Sequence, residues 1–288
     1  MMKADLIIHN AKQLVTCASN GKAKKGAAMQ DVGLIENGAV AVKNGEIIEA
    51  GESEKILEKF SAGEMIDAAG KVVTPAFVEC HTHIVFAGNR LDEFELKIKG
   101  AEYMEILAAG GGIISTVRQT READLNELVE ESRRRLDKLL ELGVATCEVK
   151  TGYGLNTETE LKMLGAIFKL DQTHAVDLVP TLLAAHAVPP EFKEKPDEYI
   201  DLVCRETIPY IFKLFFENLI DIEKIREKIK EKIEKESQSK DAGIGSGRFV
   251  TESELISKMR NNPFFIDVFC EQNAFDLEQS RKVLETGK

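Results

Sequence analysis

KVVTPAFVECHTHIVFAGNR, residues 71–90, decides how the fold is read. Its first part, KVVTPAFVECHTH, is a run of apolar and β-favouring side chains that reads as one strand. It ends on His81 and His83, two of only five histidines in 288 residues. Side chains two apart on a strand point the same way, so both imidazoles fall on one face at the strand's end. Further strands and helices alternate after it. Leu125, Leu128, Val129, Leu136, Leu139 and Leu140 mark one helix face. GVATCEVK (143–150) is the next strand, and TETELKMLGAIFKL (157–170) a helix with a capping box between Thr157 and Glu160. AVDLVPTLLAAHAV (175–188) is nearly all apolar, as expected of a strand covered on both faces. A helix begins near Tyr199, FFIDVFCE (264–271) is strand-like, and LEQSRKVLETG is a helix that Gly287 is placed to terminate. This alternation predicts a parallel α/β architecture with its site in the loops after the strands.

Residues 1–71 have another rhythm. ADLIIHNAKQLVTC, GAVAVKNGEIIEAGE and GEMIDAAGKVV are short strands, with Asn44-Gly45 as a tight turn. They predict a small β-rich domain ahead of a barrel-like part at 72–288. Residues 211–262 interrupt the alternation with an insertion. Ile222, Ile225, Ile229 and Ile233 stripe a Glu/Lys-rich helix, with the glycine loop DAGIGSGR after it. No Lys-Ser/Thr comes after those glycines, so they are not read as a phosphate loop.

The hydrophobic fraction is 43% and the formal net charge −11, a balance that argues for a sizeable core and against a nucleic-acid partner. The RRR at 133–135 reads as a solvated helix face. A charge interrupts the N-terminus where an export signal needs its apolar core, and no uncharged apolar stretch reaches about 18 residues. Neither export nor a membrane is expected. Cys17, Cys80, Cys147, Cys204 and Cys270 are scattered, odd in number and without a CxxC pair, as suits reduced thiols in a cytoplasmic protein.

His81 and His83 are candidate ligands of one ion, since imidazole suits zinc and iron. The same spacing also suits packed polar histidines. His9 belongs to the small sheet, and His174 precedes a strand, at the wrong end of a barrel. His186, near the end of the 175–188 strand, fits three roles: completing the metal shell, polarising a substrate carbonyl, or bonding locally. Glu148 and Lys150 share a strand face, as a salt bridge or as pocket lining. A carbamylated Lys150 bridging two metals is a further role that spacing leaves open. Glu271 ends a strand, as a site residue or a cap. Arg90 can pair a planar carboxylate through two parallel hydrogen bonds, and Tyr153 stands between the glycines of GYG. Should these share the loop face with the histidine pair, a small anionic substrate is implied.

At these residues the chain resembles the imidazolonepropionase family of metal-dependent amidohydrolases. FVECHTHIVFAGNRLDEFELKIKGAEYMEI, AAGGGIISTVRQTR, EVKTGYGLNTETELKML, AAHAVPPEFK, YIDLVC and IDVFCEQNAFDLEQSRKVLETGK carry the resemblance, which spans nearly everything outside 211–262. It implies a (β/α)8 barrel of the TIM type with a small β-domain. The reaction implied is the hydrolysis of 4-imidazolone-5-propanoate to N-formimidoyl-L-glutamate in histidine degradation. One divalent metal, zinc or iron, is implied, with His81 and His83 as ligands. Arg90, Tyr103, Tyr153 and His186 resemble substrate-binding residues, His186 beside the reacting atoms as the catalytic one. The family pattern also carries a third histidine ligand, an acidic residue and an aspartate on later strands. This chain ends at ETGK before them, so a partial barrel of about four strands, inactive or very weak by itself, is expected. Another copy or a complementing chain would then be its partner. Two alternatives stand beside this reading: another cyclic amidohydrolase or ring deaminase on the same scaffold, and a non-catalytic partial barrel that recruits a partner.

Overall fold

The computed structural model describes residues 1–19, 21–102, 105, 111–213, 263–271 and 274–288. The predicted insertion at 211–262 therefore lies outside the described residues from 214 on, as does Tyr103. The chain divides into two compact units, Met1–Phe77 and Val78–Lys288.

In the first unit, β1 (Met2–Val15), β2 (Leu34–Lys43), β3 (Glu46–Glu52), β4 (Phe60–Asp67) and β5 (Val72–Val73) form a five-stranded sheet with the order β3-β2-β1-β4, and α1 (Ser53–Lys59) connects β3 to β4. β5 also pairs with β1. The β2–β3 hairpin turns at Asn44 and Gly45, whose φ angles of 54° and 79° are those the tight primed turn requires. Ala4, Ile7, Ala39, Ala41, Ile56 and Phe60 make a small core with α1. The strands are longer than the brief pieces expected, β1 running over 14 residues. The run KVVTPAFVECHTH is two strands rather than one. Val72 and Val73 pair with Gln13 and Leu14, and a second strand begins only at Phe77. Pro75, with no N–H to give a ladder, stands in the break.

The second unit holds β6 (Phe77–Thr82), β7 (Val144–Lys150), β8 (Asp177–Ala185) and β9 (Phe265–Val268), neighbours in that order. β7–β8 and β8–β9 are parallel, with Lys150 beside Thr181 and Thr181 beside Phe265. Helices fill the connections: α2 (Leu91–Ile98), α3 (Ile113–Glu122), α4 (Leu125–Glu141) and α5 (Thr157–Thr173). After β8, α6 (Pro196–Leu202) continues through a π-helical turn (Val203–Thr207) into α7 (Ile208–Phe212); α8 (Leu277–Thr286) comes after β9. The result is a curled half of a (β/α)8 barrel, four strands among the described residues.

The core lies between sheet and helices. Leu128, Leu136, Met163, Leu164, Ile167 and Leu170 are wholly buried against Val149, Leu178 and Leu182. Each such side chain contributes about 1.5–3 kcal/mol through apolar burial. Leu125 and Leu140 of the predicted α4 face are instead exposed. Tyr199 anchors α6 by donating its hydroxyl hydrogen to Ala184 O at 2.7 Å, two residues before His186.

Two local expectations are corrected. Thr157 and Glu160 form no capping box. Asn156 caps α5 by accepting from Thr159 N, and Glu160 turns inward; the reciprocal boxes are Asp124 with Glu127 and Asp276 with Gln279. The RRR triplet is not a solvated face throughout. Arg134 is exposed, but Arg135 lies over the Phe86 ring at 3.6 Å and donates to Ile84 O and Phe86 O. Arg133 donates to Thr173. Gly287 terminates α8 as expected, at φ −81°, and a Cβ there would stand 2.5 Å from Ile266 Cδ1. Among the described residues, no helix is long and apolar enough to cross a membrane.

Candidate active site

The ends of β6, β7 and β8 bring four rings together. His81 is the fifth residue of β6, and His83 lies one residue beyond its end. Their ring centroids are 5.8 Å apart, with planes tilted by 59°. His186, just past β8, stacks on His83 at 4.8 Å with an interplanar angle of 11°. Tyr153, from the loop after β7, packs at 5.4 Å from His83 and 5.5 Å from His186. Phe86 closes one side of Tyr153 edge-on, and Phe269 does the same for His186.

The hydrogen bonds fix the imidazole tautomers. His83 Nδ1 faces Thr151 O at 3.2 Å, and His186 Nδ1 faces Gly152 O at 2.9 Å. A carbonyl oxygen only accepts, so in both rings Nδ1 carries the hydrogen and Nε2 carries a bare lone pair. Burial, helped by the neighbouring His186, pushes His83 down to about 4, and burial likewise lowers His186. Both rings are then neutral near pH 7, the form that binds a metal or accepts a hydrogen bond.

A metal sits about 3.2 Å from the centroid of a ring that ligates it, and close to that ring's plane, given metal–nitrogen bonds of about 2.1 Å. Centroids 5.8 Å apart are within the reach of two rings that share an ion. The nearly parallel His83 and His186 rings stack at 4.8 Å, each with Nδ1 engaged by a loop carbonyl. The HxH spacing thus leaves room for one ion between His81 and His83. Among the described residues, no group of three His, Cys, Asp or Glu side chains could hold a metal.

The loop after β7 is shaped by strict backbone demands. Gly152 has φ +104°, and a Cβ on it would stand 2.8 Å from His186 Cβ, His186 Nδ1 and Leu183 O. Only glycine lets the loop lie against the histidine. Beneath it, Lys150 spans two carboxylates, donating to Glu148 Oε1 at 2.6 Å and Asp267 Oδ2 at 3.0 Å. Burial lowers the Lys150 ammonium, but these two bonds outweigh it and hold the group above its ordinary value. A protonated amine is no nucleophile for carbon dioxide, so the arrangement suits the salt bridge and not a carbamate.

Arg90 lies just before α2. Its Nε donates to Glu93 Oε2 at 2.8 Å and its Nη2 at 2.5 Å, while Glu93 Oε1 accepts from Gly112 N. The guanidinium acts electrostatically on Tyr153, whose hydroxyl burial pushes up and Arg90 pulls down. His174 is far from this set: it caps α5 and meets Asp137 at 3.2 Å. His9 lies in β1. Glu271 is exposed at the chain's turn beyond β9. Asp267 and Glu160 brace the site; Glu160 carried only the spacing of a helix cap, and Asp267 belongs to no motif. Asp267 sits inside an otherwise apolar strand, which is the one signal the sequence offered.

The second unit is thus a curled half-barrel that carries an HxH pair at the end of its first strand. No family model matches the chain. Its curated relatives are imidazolonepropionases. That of Chloroflexus aggregans is 42% identical over 288 residues, covering 100% of this chain and 59% of that protein. Those of Alkaliphilus oremlandii and Geobacillus kaustophilus are each 41% identical, covering 100% and 98% of this chain and 58% and 57% of theirs. The chain is a sequence relative of the imidazolonepropionases and spans about three-fifths of the length of those it matches. Among solved structures, E. coli guanine deaminase aligns with 69% of this chain and 42% of its own, at a TM-score of 0.45 and 17% identity. A likeness of that size carries no functional argument.

Proposed function

We propose that this chain forms the metal- and substrate-binding half of an imidazolonepropionase site, hydrolysing the cyclic amide C–N bond of 4-imidazolone-5-propanoate to N-formimidoyl-L-glutamate. The observation that supports it is the meeting of His83, His186 and Tyr153 from the ends of three strands, within the field of Arg90. His81 and His83 hold one zinc or iron ion, which supplies an acidified water and a Lewis acid for the amide. Arg90, aimed by Glu93, receives the propionate through paired N–H donors. Tyr153 presents its ring and hydroxyl to the imidazolone. His186 has Nε2 bare, so it accepts: it takes a hydrogen bond from a ring N–H or the proton of the attacking water. Donation to an oxyanion would need a hydrogen on Nε2, as in the imidazolium, which burial disfavours in the resting site. A cytoplasmic compartment suits a reaction of histidine degradation.

Calorimetric titration tests the reading. The wild-type chain binds zinc and the imidazolone, and Arg90→Met loses the imidazolone. Two imidazoles leave an ion short of the three protein ligands usual for hydrolytic zinc, so turnover by this chain alone is slow. Release of ammonia in place of N-formimidoyl-L-glutamate would move the protein to the deaminases. A chain that binds neither zinc nor the imidazolone would be a non-catalytic partial barrel and would overturn the proposal.

A further inference from the structure

Glu160 is fully enclosed in α5, yet it makes no contact of the kind a helix surface carboxylate makes. Its Oε1 accepts from Gly154 N at 2.8 Å and Leu155 N at 2.9 Å, and its Oε2 from Gly152 N at 3.1 Å. Burial pushes this carboxyl up, and the Thr151 hydroxyl and the three backbone N–H groups pull it down. The same loop is held from its carbonyl side. Arg121, paired with Glu191 at 2.8 Å, donates to Gly154 O at 2.7 Å and Leu155 O at 3.1 Å. Loop N–H groups with no sheet partner are costly if left buried and unpaired. One carboxylate satisfies three of them and thereby sets the path of residues 151–155.

That path decides the two rings. The carbonyls of Thr151 and Gly152, at the start of the clamped loop, take the Nδ1–H of His83 and of His186. Tyr153 stands between Gly152 and Gly154, two of the three residues whose N–H groups Glu160 holds. Gly154 admits no side chain because Glu160 N would lie 2.6 Å from its Cβ. We propose that Glu160 is a positioning residue: its buried carboxylate fixes loop 151–155 so that Gly152 O locks the His186 tautomer and Tyr153 faces the histidines. The carboxylate itself touches neither metal nor substrate. This inference rests on the site reading above only in treating His186 and Tyr153 as site residues.

The test uses the 288-residue chain without added metal, with its histidines labelled with nitrogen-15. The signals of His186 are assigned by their loss in His186→Gln. In Glu160→Gln an NH2 replaces one acceptor and meets a loop N–H head-on. The expected result is that His186 changes from a single Nδ1–H tautomer to a mixture, while His9 and His174 keep their signals and unfolding stays cooperative. A general loss of stability would not single out His186. A folded Glu160→Gln variant with the His186 tautomer unchanged overturns the proposal. Should that variant fail to fold, Glu160→Asp, one methylene too short to reach three N–H groups, is read by the same criterion. Failure of the wild-type chain to bind zinc or the imidazolone would sink the site reading and leave this metal-free measurement standing.

Discussion

The imidazoles of His83 and His186 lie 4.8 Å apart with 11° between their planes, each with Nδ1 turned to a carbonyl of the same loop. Two neighbours thus share a tautomer, and burial keeps both rings neutral. The rings of His81 and His83 are instead tilted by 59°. On the proposed reading the ion belongs to the HxH pair and His186 stands next to it.

Zinc titration separates these roles. His81→Ala and His83→Ala each remove a ligand and should weaken zinc by more than about 100-fold, the upper range seen for loss of mere supporting groups. His186→Ala should leave zinc affinity nearly unchanged and weaken the imidazolone instead. Equal losses from all three would show that the rings reorient to a common ion.

Gly152→Ala meets two obstacles at once. Its backbone sits at φ +104°, and its new methyl would overlap His186 and Leu183 O. Strain of this kind costs about 1–3 kcal/mol. Urea denaturation should show that loss, and calorimetry a loss of imidazolone binding as His186 is pushed aside. A variant as stable as wild type would mean that the loop has room to move.

Much of this was legible in the sequence, because it rests on short-range rules. Period-two placement put His81 and His83 on one face, and glycines flanking Tyr153 marked a backbone that had to approach something. What escaped depended on contacts distant in sequence. Thr157 and Glu160 have the spacing of a reciprocal cap, and local geometry offers no reason to refuse it. The competing demand came from three unpaired N–H groups five to eight residues earlier, which only the folded loop reveals. Arg135 escaped for the same reason: helix periodicity places it near the surface, while Phe86 and two loop carbonyls lie 49 and 51 residues back.

Arg135→Met keeps the apolar stem and removes the charge over Phe86 together with the donors to Ile84 O and Phe86 O. The expected destabilisation is about 2–3 kcal/mol, from the lost cation–π contact and two buried carbonyls. Arg135→Lys should recover only part of it, since an ammonium cannot both lie flat on the ring and fork to two carbonyls. Full recovery by lysine, seen as an unchanged denaturation midpoint, would reduce the residue to a point charge.

Lys150→Met tests the ion pair beneath the rings. Its ammonium, 8% exposed, joins Glu148 on β7 to Asp267 on β9, across the intervening β8. Removing it strands Glu148, whose Oε2 is already buried without a hydrogen-bond partner. Such a break costs about 3–5 kcal/mol, and the lower end applies because Asp267, 42% exposed, can turn to water. The pH dependence has a definite sign. The folded state raises the Lys150 value above 10.5, so the pair's contribution is whole below that value and fades as pH climbs through the raised one. The wild-type advantage over Lys150→Met should therefore be flat across neutral pH and shrink in alkali, as paired urea melts at increasing pH would show. An advantage that persisted undiminished once Lys150 had lost its proton would assign the stabilisation to the packing of its stem and not to the ion pair.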